Sequence, residues 1–172
     1  MIGVAEDISL RFLSARNRGY ENENPLLTLA AFCLAARVCL SNPQIGTWKL
    51  NEAKSKLAPG APKNNKVVYE TAGDSVKVVV DGTGAEGKPA HNQWTGKFDG
   101  KDYPVTGDPA SDSRSYKKAD DRTSELTVKK DGKTTVTGSI VVSTDGKSRT
   151  VTTSGTNAKG EKLTNTAVYD KQ

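Results

Sequence analysis

Apolar residues are arranged along this chain in two ways. Residues 26–41 form one continuous run, LLTLAAFCLAARVCLS, broken only by Arg37. From Ile45 onward apolar and polar residues alternate with a period of two, in short runs rich in Thr, Val, Lys and Gly. Alternation places successive side chains on opposite faces of an extended backbone, which predicts strands with one buried face. Gly46–Leu50, Lys66–Thr71, Ser75–Val80, Pro89–Phe98, Arg114–Lys118, Ser124–Lys130 and Lys162–Asp170 read as strands, with a Pro- and Gly-rich loop over Ala58–Asn65. Asp-Gly pairs at 81–82, 99–100, 131–132 and 145–146 predict tight turns, because both residues tolerate positive φ. Ala72–Asp74, Asp120–Asp121 and Asn157–Gly160 predict others. Nine or ten strands joined by such short turns must pair antiparallel. The expected fold is all-β, an antiparallel up-and-down barrel, because closure removes the two edges an open meander would leave. A two-sheet sandwich is the alternative.

The chain divides into an N-terminal extension (1–25), the apolar segment (26–41) and the β domain (42–172). Leu26–Ala36 is too short for a bilayer span of about 20 residues and suits the apolar region of a secretory signal. Cys39 and Ser41 then stand at the positions a signal peptidase inspects, placing the cut before Asn42, with Ala36 as a second site. This predicts an exported protein, periplasmic or secreted, with no stable membrane insertion after signal removal. The polar, mixed-charge stretch Met1–Asn24 lacks the basic start of a signal, so the expectation is that the reading frame carries an upstream extension. An amphipathic helix over Asp7–Asn17, packed on the domain, is the other reading.

The formal charge of +5 comes from lysines scattered among acidic and hydroxyl residues. No basic stripe interleaves with aromatics, so a nucleic-acid partner is not expected. Both cysteines, Cys33 and Cys39, fall in the apolar segment, and with one histidine the supply of zinc ligands is poor. There is no nucleophile elbow around a serine. The glycines of Gly82–Lys88 have no helix after them, which makes that stretch a hairpin loop rather than a phosphate cradle.

His91 is the one candidate general base. Alternation puts it on the outer face of its strand, opposite Trp94 and Phe98, and only a bulge would bring it to a barrel mouth. Asp108, Asp112, Asp120 and Asp121 are the candidate oxygen ligands for a Ca²⁺ ion, set against the ordinary role of aspartate as a turn former. Trp94, Phe98, Tyr103 and Tyr116 come from strands expected to be adjacent. They either line a pocket for a small apolar or amphipathic molecule or fill the core.

Gly46-Thr47-Trp48 resembles the Gly-x-Trp signature of the lipocalin and calycin barrels, in which the Trp plugs the closed end under a basic residue from the last strand. Lys171 is the counterpart here. The run Gly46–Lys56 (GTWKLNEAKSK), with Phe98–Gly107 (FDGKDYPVTG), also resembles small exported β proteins of soil bacteria of the acidobacterial type, over Pro43 to the end. Some small soil-metagenome proteins of this size hydrolyse N-acylhomoserine lactones. The resemblance thus implies, beside the binding barrel, an alternative of lactone ring opening (quorum quenching) in which His91 or a bound Ca²⁺ activates water. A barrel with a filled core and no pocket is the third expectation.

Overall fold

The computed structural model describes residues 42–156, 160 and 162–172. The expectations for Met1–Ser41, signal and helix alike, lie outside the described residues. Those described form ten strands: β1 Gly46–Leu50, β2 Lys63–Ala72, β3 Ser75–Thr83, β4 Pro89–Gly96, β5 Tyr103–Thr106, β6 Ser113–Lys118, β7 Thr123–Lys130, β8 Lys133–Val142, β9 Ser148–Thr156 and β10 Lys162–Lys171. Each pairs antiparallel with its neighbour in sequence, and β1 pairs with β10, so the sheet closes into an up-and-down barrel rather than a sandwich.

The turns follow the expected chemistry in most places. Asp131 and Gly132 both have positive φ, 49° and 72°, as a two-residue Asp-Gly hairpin requires. Asp81-Gly82 departs from expectation, since it lies inside β3 and the chain reverses at Gly84–Gly87 instead. The glycine there serves close approach: a Cβ on Gly82 would collide with the Lys63 carbonyl oxygen, where β2 shifts register between Lys63 and Lys66. β5 is not among the strands given bounds from the sequence, because four residues containing Pro104 show too little alternation.

The register separates the two ends of the barrel. At the end where β1 begins and β10 finishes, the inward side chains Trp48, Tyr69, Val78, Tyr116, Ile140 and Arg149 are buried. On β7–β10 the inward positions Leu126, Val128, Val136, Val151, Thr153 and Ala167 are only half-buried, those of Leu126 and Val151 directly beside buried Tyr116 and Ile140 and the others toward the opposite end. The first end is a floor and the second a mouth. β1 is half the length of β10, and the segment after it completes the seam: Lys56 and Thr166 exchange two backbone hydrogen bonds, and the Asn165 side chain accepts from the Ala58 N–H at 2.7 Å.

Candidate functional site

β4, β5 and β6 bring the four predicted aromatics together. Trp94 packs edge-on against Tyr116 (centroids 4.7 Å apart), Tyr103 (5.8 Å) and Phe98 (6.3 Å), and Phe98 stacks on Tyr116 at 5.1 Å. Trp94 and Tyr116 are buried, whereas Phe98 and Tyr103 are half-buried at the margin. Gly96 makes this packing attainable, because a Cβ there would come within 2.6 Å of both Trp94 and Tyr103. The Trp94 indole N–H donates to the Arg114 carbonyl (2.8 Å), and the Tyr103 hydroxyl donates to Asp99 (3.0 Å). The Lys101 backbone N–H, with that hydroxyl, holds the Asp99 carboxyl below its ordinary range, while partial burial and Asp99 raise the Tyr103 phenol. The four rings therefore make a packed wall low in the barrel.

Trp48 supplies the centre of the floor and is fully buried. Its indole N–H donates to the Gln44 carbonyl at 2.7 Å. Lys171, the predicted counterpart, places its ammonium 5.1 Å from the ring centroid. The first glycine of the Gly-x-Trp signature has a steric reason here: Gly46 has φ +126°, and a Cβ would meet the Lys171 stem at 2.7 Å. A second cation was not foreseen. Arg149 of β9, 2% exposed, lies 4.7–4.9 Å from the ring centroids of Trp48, Tyr69 and Tyr169 and donates to the Gln44 side chain at 3.2 Å. Three aromatic faces stabilise a guanidinium out of water, which is how a charge persists there. Burial pushes the Tyr169 phenol up to about 12, against the pull of Arg149. Arg149 shares its inward parity with Val151, and that was the available sequence signal.

Arg114 was missed on the same ground, sharing parity with Tyr116 in β6. It is 8% exposed and stands one inward position nearer the mouth than Tyr116. One guanidinium nitrogen donates to the Asn92 side-chain oxygen at 3.3 Å, while Nε has no partner. Burial raises the phenol of neighbouring Tyr116, and the Arg114 charge opposes that rise. Among the described residues no carboxylate pairs with either buried arginine.

His91 lies on the outer wall, as its parity indicated. Its Nδ1 is 2.7 Å from Asp81 Oδ1 and its Nε2 is 3.2 Å from the Gln93 amide nitrogen, with the histidine side chain about half exposed. No bulge turns it inward, and its pairing with Asp81 across β3–β4 is regular. The four aspartates do not meet. Asp108 and Asp112 stand at the mouth end of β6, and Asp120 and Asp121 at its floor end. Asp108 accepts from Ala110 N–H and the Ser111 hydroxyl, Asp112 from Asp131 N–H, and Asp120 from Arg122 and Thr123 N–H. Asp121 pairs with Lys118. Each carboxylate thus closes its own turn or an exposed ion pair. Among the described residues no group of three or more metal-ligating side chains comes together, and no helix is long and apolar enough to cross a membrane.

A scan of family models finds no match to this chain, and a search of curated proteins finds none either. Among solved structures, "Structure of EF1p2_mFAP2b bound to DFHBI" aligns over 76% of this chain and 94% of that one, at 10% identity and a TM-score of 0.44. "Structure of a redesigned beta barrel, mFAP1, bound to DFHBI" aligns over 75% and 95%, at 16% identity and a TM-score of 0.39.

Proposed function

We propose that this chain is an exported barrel that holds a small apolar or amphipathic molecule in the mouth half of its interior. The observation that carries the reading is the contrast along the barrel axis. Inward side chains at the floor are buried against one another, whereas Leu126, Val128, Val136, Val151 and Ala167 face inward and remain half accessible. Apolar surface that faces inward yet stays wet gains on burial by a ligand, at roughly 25 cal/mol per Å². The floor aromatics supply rigidity under that space. Trp94 and Tyr116 are the base of the pocket, and Phe98 and Tyr103 brace them. Export rests on the apolar run Leu26–Ser41.

The test is titration of the full chain with a naphthylamine dye whose emission rises on leaving water. Saturable binding is expected, and Thr153→Trp, which adds bulk at an inward mouth position, should abolish it. Thr152→Trp, on the exposed outer face, should leave it intact. The reading fails if no saturable binding occurs or if both variants behave alike.

A further inference from the structure

Resting on that reading, we infer that the occupant of the barrel is an amphipathic anion, with its tail in the mouth half and its head group, carboxylate or phosphate, on the Arg114 guanidinium. The first support is the distribution of charge. Among the described residues, no acidic residue stands at an inward position of any strand, as read from the pairing registers. The acidic residues of the strands, Glu70, Asp81, Glu125 and Asp170, all have outward parity. The interior nevertheless carries two buried guanidinium groups.

The second support is that the two arginines are unlike. Arg149 is enclosed by three aromatic rings and Gln44, and it belongs to the floor. Arg114 lies one inward position nearer the mouth and, among the described residues, stands over no aromatic face. Nε is without a partner in both arginines, and the side-chain acceptors of Arg114, Asn92 Oδ1 at 3.3 Å and the Tyr116 hydroxyl, are both neutral. A buried cation with donors to spare is unfavourable unless an anion meets it. A guanidinium fork matches a carboxylate or phosphate with two parallel hydrogen bonds. Val128, opposite Arg114 on β7, and Leu126, opposite Tyr116, are half-buried and apolar, the surroundings an alkyl tail requires.

The experiment measures displacement of the naphthylamine dye from the full chain by dodecanoate, dodecyl phosphate and dodecanol, each below its micelle-forming concentration. At neutral pH at least one anion should bind about tenfold or more tighter than the alcohol, the worth of a charge-assisted hydrogen bond. Their relative affinities tell a carboxylate head from a phosphate one, and a lead for either supports the inference. Arg114→Gln should weaken the anions until their advantage over dodecanol is gone, and Arg114→Lys should keep part of it, near-UV circular dichroism reporting that both variants fold. If Arg114→Gln does not fold, the wild type decides through pH: the dodecanoate advantage must vanish as pH falls through the carboxylate range. Dodecanol binding as tightly as both anions would overturn the inference and leave the binding reading standing, as would an anion preference that survives Arg114→Gln. Failure of all three to displace a dye that binds saturably would overturn the inference alone, whereas absence of saturable dye binding would overturn both.

Discussion

Trp48→Phe tests whether the floor is held as described. The indole is fully buried and its N–H donates to the Gln44 carbonyl at 2.7 Å. A phenyl ring keeps an aromatic face for Arg149 and Lys171 but cannot donate. Leaving a buried carbonyl without its donor costs about 1–3 kcal/mol. Contraction of the indole removes apolar volume equivalent to about two carbons, about 1–2 kcal/mol at about 0.8 kcal/mol each. Together the loss is about 2–5 kcal/mol, which for a domain of this size lowers Tm by roughly 10 °C or more. Urea unfolding of the full chain by far-UV circular dichroism measures it, with an unchanged m value showing that the same surface is exposed. The chain has two tryptophans, so the emission of the remaining Trp94 gives a second view of the same transition. A loss below about 1 kcal/mol would refute the claim that the bond from Trp48 to Gln44 fastens the floor.

Two further outcomes follow from the packing. Gly96→Ala forces a Cβ to within 2.6 Å of the Trp94 and Tyr103 rings, so it should destabilise by about 1–3 kcal/mol and alter the near-UV aromatic spectrum, whereas Gly84→Ala, with 3.7 Å to its nearest neighbour, should do neither. The buried phenol of Tyr169, pushed up to about 12, keeps its proton longer in the folded than in the unfolded chain. Folding stability is therefore full below pH 10 and is lost as pH rises toward 12, by at most about 1.4 kcal/mol per pH unit for one such group. Tyrosine absorbance near 295 nm should rise together with loss of circular dichroism, and ionisation of all five tyrosines near pH 10 in a folded chain would contradict it.

The strand pattern, the Asp-Gly turns and the antiparallel, closed architecture were legible because each depends on local chemistry: alternation sets the buried face, and turn residues set where the chain reverses. The meeting of Trp94, Phe98, Tyr103 and Tyr116 was legible for the same reason, since neighbouring strands in a meander are neighbours in space. Parity alone also placed His91 on the outer wall. The roles of Arg114 and Arg149 were not legible. Parity put both inward, but whether a buried cation is stacked on rings, as at Arg149, or set beside neutral acceptors without such rings, as at Arg114, depends on strands far apart in sequence. Asp81-Gly82 misled because the same dipeptide serves a turn or a close strand contact, and only the carbonyl of Lys63 decides which. The four aspartates, all within residues 108–121, lie at opposite ends of β6, since an extended strand separates its ends by about 3.3 Å per residue. Sequence by itself determined which side chains face inward. Only closure of the barrel decided which of them touch, because contact across an interior is set by register and shear summed over all ten strands.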